Sequence, residues 1–225
     1  MKLVALSGGS AKVVPVKELT VVEQIKEFSL GSDKVRFTRG NQSFDLTLNG
    51  KVETFKIFYN YYEGWDASGQ TSGAYIFRPK SNTPKLFSNV VRMYYADGQN
   101  VGMIVLEGDK TITRCYFSKA KDFVRNYGFL VETQLDSIPV EDKVGKEVTI
   151  NFKTAKSNNK TFFTDSMGLE EQKRVIDFRP SWNYTAFEPV AGNYYPVNSF
   201  IRIADPSSGS VTVLSDRSQG GSVLR

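Results

Sequence analysis

Short runs of Phe, Tyr, Val, Ile and Thr that alternate with polar residues recur along most of the chain, each closed by a turn signal. Successive side chains of a strand point to opposite faces, so a period of two marks half-buried strands, whereas a helix needs apolar residues three or four apart. The pattern is clearest in Phe44-Asp45-Leu46-Thr47-Leu48 and Thr54-Phe55-Lys56-Ile57-Phe58-Tyr59, which flank Asn49-Gly50, a pair suited to a two-residue hairpin turn. Val35 to Thr38, entered through Gly31-Ser32-Asp33, adds a strand before them, and residues 60–72 read as a loop. Ala74 to Phe77 is expected as a strand stopped by Pro79, followed by strands near 86–95, 101–107, 110–117, 124–135 and 146–153. Lys173 to Phe178 fits a strand better than a helical turn, Ser199 to Ala204 and Val211 to Leu214 are strands, and Ser218 to Ser222 reads as a loop. Such spacing predicts a mostly β, antiparallel sandwich with little or no helix.

Residue types narrow the chemistry. There is no histidine among the 225 residues, so Ser-His-Asp and Cys-His catalysis and His-based zinc sites are excluded from this chain. The single cysteine, Cys115, sits in the alternating run Thr111 to Phe117 and reads as a buried structural thiol. Carboxylates remain. A glycosidase needs two of them flanking the scissile bond, about 5–5.5 Å apart for retention. Asp66, Asp136, Glu141, Asp142, Asp165, Glu188 and Asp216 are candidates, and their spacing singles out no pair. The net charge of +5 comes from basic residues scattered along strands and turns, without a nucleic-acid-binding motif, so no nucleic-acid partner is expected. No run approaches the ~20 apolar residues of a membrane span. Met1 to Ser7 is too short in its apolar part for a signal peptide. Ser7-Gly8-Gly9-Ser10 and Gln219-Gly220-Gly221-Ser222 lack the spacing of a phosphate loop and read as connectors. Tyr61, Tyr62 and Trp65 either stack on sugar faces or cover one end of the sandwich. Asn41, Asn159 and Asn183 each open an acceptor sequon for N-glycosylation.

Three segments resemble glycoside hydrolase family 38, the α-mannosidases, and its lysosomal branch in particular. They are Ser72-Gly73-Ala74-Tyr75-Ile76-Phe77-Arg78-Pro79, the run Ile138 to Val148, and a long stretch beginning at Phe163-Thr164-Asp165-Ser166. That stretch passes through Arg179-Pro180-Ser181-Trp182-Asn183 and Glu188 to Asn198, and ends at Leu214-Ser215-Asp216-Arg217-Ser218-Gln219-Gly220-Gly221-Ser222. The resemblance implies a supersandwich like that of galactose mutarotase over residues 40–225, truncated at its C-terminal end, with 1–39 as connector and edge strands. It implies that the parent's zinc and Asp nucleophile belong to an upstream α/β domain followed by a helical bundle, so that this chain holds no metal and no catalytic residue. It implies that Tyr75 and Arg217 help to shape the mannose pocket, that Asn183 is a shared sequon, and that the parent acts on mannose-containing glycans in the lysosome or secretory pathway. The alternative from the residues themselves is a stand-alone carbohydrate-binding or structural β module.

Overall fold

The computed structural model describes residues 2–7, 10–15, 20–21, 23, 25–38, 43–67, 69–73, 76–120, 128–188 and 190–223, with backbone alone for 2–7 and 10–15. The chain runs through β1 (Lys2–Ser7), β2 (Ser10–Pro15), β3 (Thr20–Val21), β4 (Ile25–Leu30), β5 (Asp33–Thr38), β6 (Ser43–Leu48) and β7 (Lys51–Glu63). It continues through β8 (Lys85–Ser88), β9 (Val90–Asp97), β10 (Val101–Gly108), β11 (Thr111–Ser118), β12 (Leu130–Leu135) and β13 (Lys146–Lys153). Last come β14 (Thr161–Ser166), β15 (Glu170–Val175), a 3-10 turn (Ala191–Asn193), β16 (Tyr195–Val197), β17 (Phe200–Asp205), β18 (Gly209–Leu214) and β19 (Gln219–Gly221). Among the described residues there is no α-helix, as the period-two pattern predicts.

The chain divides into two compact units that are interleaved in sequence. The first takes residues 1–61, 85–139 and 148–154; the second takes 62–84, 140–147 and 155–225. In the first, β1 and β2 pair as an antiparallel hairpin, with Ser7 opposite Ser10. One sheet has the order β12-β11-β10-β9-β3, and another has β13-β7-β6-β5-β4 with β8 beside β7. These two sheets face each other. Alternation produces the facing surfaces: Thr111, Thr113, Cys115 and Phe117 of β11 are buried while their neighbours are partly exposed, and Val35, Phe37, Phe44 and Leu46 do the same for β5 and β6. Phe117 lies edge-on to Phe28 at 5.6 Å and to Phe44 at 5.7 Å, and Phe129 fills the space beside Phe44 and Phe55 at 5.1 Å from each. Each fully buried ring contributes about 1.5–3 kcal/mol by leaving water.

One polar pin crosses this core. The Tyr59 hydroxyl of β7 bonds Thr113 Oγ1 at 2.5 Å and Thr133 Oγ1 at 2.8 Å on the opposite sheet. Burial pushes the Tyr59 phenol above its ordinary value, although the two hydroxyl contacts act against that rise. Cys115 has no accessible surface, and burial pushes its thiol up to about 12, in keeping with a structural thiol. At the β6–β7 hairpin, Asn49 and Gly50 take φ of 51° and 76°, the doubly positive pair that a two-residue turn matching strand twist requires.

In the second unit a four-stranded sheet has the order β15-β14-β17-β18, and β16 and β19 form a separate pair. Its buried hydrophobic residues include Tyr62, Phe162, Ile176 and Val197. Asp165, at the end of β14, is 1% exposed. Its Oδ1 accepts the backbone N–H groups of Asn198, Ser199 and Phe200 at 2.9–3.2 Å, and its Oδ2 accepts that of Gly168 at 2.8 Å. Those amides, Ser199 first, hold the carboxyl well below the usual carboxylate range. Asp165 therefore ties the β14–β15 turn to the start of β17.

Four local expectations are corrected. Residues 60–63 continue β7 and are not loop. Ile76 and Phe77 are not in a strand, and the Ile76 carbonyl accepts the Gly73 N–H at 3.0 Å. The strand at Glu170–Val175 ends before Phe178. Gln219–Gly221 forms β19 against β16, although a Gly-rich run carries no alternation to reveal a strand.

Candidate functional site

Three loops of the second unit meet around Tyr194. The ring of Phe77 lies 5.4 Å from that of Tyr194, and Tyr62 packs edge-on to the other side of Phe77 at 5.6 Å. The Tyr194 ring rests on the backbone of Gly220, where an added Cβ would come within 1.8–2.0 Å of ring atoms. Only glycine permits that approach. The segment before residue 79, the segment before β16 and the segment around β19 are thus brought together. Tyr62 is 6% exposed and belongs to this packing, so of its two readings, sugar platform or apolar cover, burial fits the cover. Trp65 is covered by the Arg78 guanidinium, 5.1 Å from the ring centre.

Polar contacts stiffen the same loops. Arg78 Nε donates to Glu188 Oε1 at 2.9 Å and its Nη1 donates to the carbonyl of Gln70 at 2.9 Å. The Arg78 N–H donates to Ser72 Oγ at 3.1 Å. Asn193, 3% exposed, exchanges two hydrogen bonds with Asp177: its Nδ2 donates to the carboxylate at 2.7 Å and its Oδ1 accepts the Asp177 N–H at 2.8 Å. Ser222 Oγ donates to the Asn193 carbonyl at 2.6 Å, so Asn193 joins the 177 loop to the end of β19. Arg179 lies over Tyr184 and Tyr195, at 4.4 and 5.1 Å. Neither Asn193 nor Arg78 was legible as an organiser, since a lone amide or guanidinium in sequence does not disclose its long-range partner.

Arg217 lies between β18 and β19, and its side chain is 74% exposed. Nη2 donates to Asp216 Oδ2 at 2.8 Å and Nε to Asp216 Oδ1 at 3.1 Å, a two-pronged pair. That neighbour lowers the Asp216 carboxyl and raises the guanidinium. Tyr75 and Asn41 lie outside the described residues. Asn159 and Asn183 are both exposed, Asn159 in the turn before β14 and Asn183 beside an open depression of about 620 Å³ lined by residues 177–184.

Most of the candidate carboxylates have partners of their own. Asp66 is bonded to Lys80 at 2.7 Å, Asp142 to Lys146 at 2.7 Å and Glu188 to Arg78. Asp165 is saturated by amides, and Asp136 and Glu141 are exposed between β12 and β13. Among the described residues no three His, Cys, Asp or Glu side chains are grouped to hold a metal.

Residues 34–225 match the glycosyl hydrolases family 38 C-terminal domain. The chain belongs to glycosyl hydrolase family 38. Similar proteins include the lysosomal alpha-mannosidase of Bos taurus, 40% identical over 75% of this chain, and that of Homo sapiens, 39% identical over 77%. A probable alpha-mannosidase of Arabidopsis thaliana is 32% identical over 96% of the chain. The chain spans 16% of the length of the bovine and human proteins and 22% of the Arabidopsis one, so it corresponds to one part of those longer proteins. The three segments that carry the family resemblance include the loops gathered at Tyr194.

Proposed function

We propose that this chain is the β segment of a family 38 α-mannosidase that removes terminal α-mannose from glycans, and that it completes the mannose pocket without supplying the catalytic groups. The meeting of the Phe77, Tyr194 and Gly220 loops, inside a family 38 C-terminal domain, is the observation that carries this reading. Tyr75 and Arg217 are the substrate-contacting groups: a phenol can donate to and accept from sugar hydroxyls, and the Arg217 loop offers a charged donor and a backbone carbonyl. The aromatic packing of Tyr62, Phe77 and Tyr194 gives these loops a rigid base, which matters because a site displaced by about 1 Å loses much of its effect.

The chemistry of a retaining glycosidase, two carboxylates about 5–5.5 Å apart, belongs to the upstream α/β domain of the parent. So does zinc, which there supplies Lewis acidity. The side chains described here do not fit a zinc site. The 225-residue chain alone is inactive, and its parent works in the lysosome or secretory route, where Asn159 and Asn183 carry glycans.

A chromogenic α-mannoside with added zinc tests the reading. The isolated chain should give no turnover, and the full-length protein that contains it should give turnover that Arg217→Ala lowers. Turnover by the isolated chain would overturn the assignment of catalysis to an upstream domain. Saturable mannose binding by the isolated chain, with an inactive full-length protein, would favour a stand-alone sugar-binding module.

A further inference from the structure

The Arg217 turn is exposed, yet it is tied down by a residue that motif reading passed over. Ser215 donates its backbone N–H to the carbonyl of Ser199 at 2.8 Å, which anchors the start of the turn beside β17. Its hydroxyl donates to the Arg217 carbonyl at 2.6 Å. The same oxygen lies 3.5 Å from the Arg217 N–H and 3.5 Å from Gln219 Nε2, both donors. One hydroxyl thus faces the backbone of Arg217 on both sides and the first residue of β19. On the far side of the turn, Gln219 is paired with Val197, and Gly220 is pressed under the Tyr194 ring. Both ends of the loop are held by sheets, and its middle is held by Ser215.

We infer that Ser215 is a positioning residue, which sets the orientation of the Arg217 backbone and so the placement of a terminal mannoside against this loop. The inference rests on the functional reading above and deepens it. Without the hydroxyl, the carbonyl and amide of Arg217 lose their common partner, and the peptide is free to rotate about the anchored ends. The Arg217 guanidinium is directed to Asp216 through Nε and Nη2, a pair that orients the side chain while Ser215 holds the backbone. Because Ser215 acts through Arg217 and touches no reacting atom, its removal weakens substrate placement more than the chemical step.

The test compares Ser215→Ala with Ser215→Thr in the full-length protein, using a chromogenic α-mannoside. Ser215→Ala should raise KM about 3- to 10-fold, the factor that one net hydrogen bond is worth, with kcat within about twofold of the original. Ser215→Thr keeps a hydroxyl and should restore KM. In the 225-residue chain, the 13C shift of the Arg217 carbonyl should move in Ser215→Ala and return in Ser215→Thr. An active protein whose KM is unchanged in Ser215→Ala would overturn this inference alone. Equal losses in both variants would also overturn it, since bulk and not the hydroxyl would then matter. A full-length protein that hydrolyses no mannoside would overturn the functional reading and the Ser215 role together.

Discussion

Tyr59→Phe isolates the polar pin between the two facing sheets of the first unit. The substitution keeps the ring, which is 2% exposed, so hydrophobic burial is almost unchanged and the loss is polar. Of its two partners, Thr133 is partly exposed and can rehydrate, whereas Thr113 is 1% exposed and cannot do so readily. Stranding a buried hydroxyl costs about 1–3 kcal/mol, and a bond to a group that rehydrates adds little, so the expected loss is about 1–3 kcal/mol. Thr113→Val should cost a similar amount, because it leaves the phenol with Thr133 alone. The double variant removes both ends of the buried bond, so its cost should fall short of the sum by about 1–2 kcal/mol. Urea denaturation followed by far-UV circular dichroism measures each corner of this cycle. Additive single and double variants, or a Tyr59→Phe cost under about 0.5 kcal/mol, would refute the claim that the pin is a buried, mutually dependent pair.

Other outcomes follow from the same physical reasoning. Cys115 should resist a thiol-specific reagent at pH 8 in the folded chain and react on unfolding; the folded thiol is raised to about 12 while the unfolded one titrates near 9, so its contribution to stability is lost as pH rises from about 9 to 12. The lowered carboxyl of Asp165 has the opposite sign: it stabilises above the unfolded value near 4 and loses that contribution as pH falls below it. Asp165→Asn should lower the urea midpoint at pH 7 and flatten the decline below pH 4, and an unchanged acid-unfolding profile would count against the amide cradle. Gly220→Ala should cost about 1–3 kcal/mol by driving a methyl group into the Tyr194 ring, a cost that thermal melting would register. A melting temperature equal to that of the original chain would show that the ring moves aside freely.

The strands were legible where one face of a sheet is buried. In β11 and β5 the alternation of side chains is the same fact as the alternation of burial, and Asn49-Gly50 announces its turn through backbone sterics alone. β19 was not legible, because Gly220 and Gly221 offer no side-chain pattern; that strand exists through backbone pairing and close approach to Tyr194. The extension of β7 through Asn60 to Glu63 was hidden by residues that also suit loops. For the candidate site, the matched segments were evident and their meeting was not. Phe77 and Tyr194 are separated by more than a hundred positions, and nothing local in either run specifies the other. The same holds for Asn193 with Asp177, whose pairing depends on a turn that only the folded chain supplies.

The interleaving of the two units sets an order of events during synthesis. Every segment of the first unit has been made once Thr154 is in place, while the second still lacks residues 155–225. At about 5–20 residues per second, the remaining 71 residues take about 4–14 s, long compared with the folding time of many small domains. During that interval residues 62–84 and 140–147 wait as excursions from a unit that can already collapse, and Tyr62 and Phe77 wait without Tyr194. The nascent chain therefore passes through a stage in which its first unit can be finished and the loops gathered at Tyr194 cannot, which makes residues 155–225 the stretch that a folding helper would have to guard.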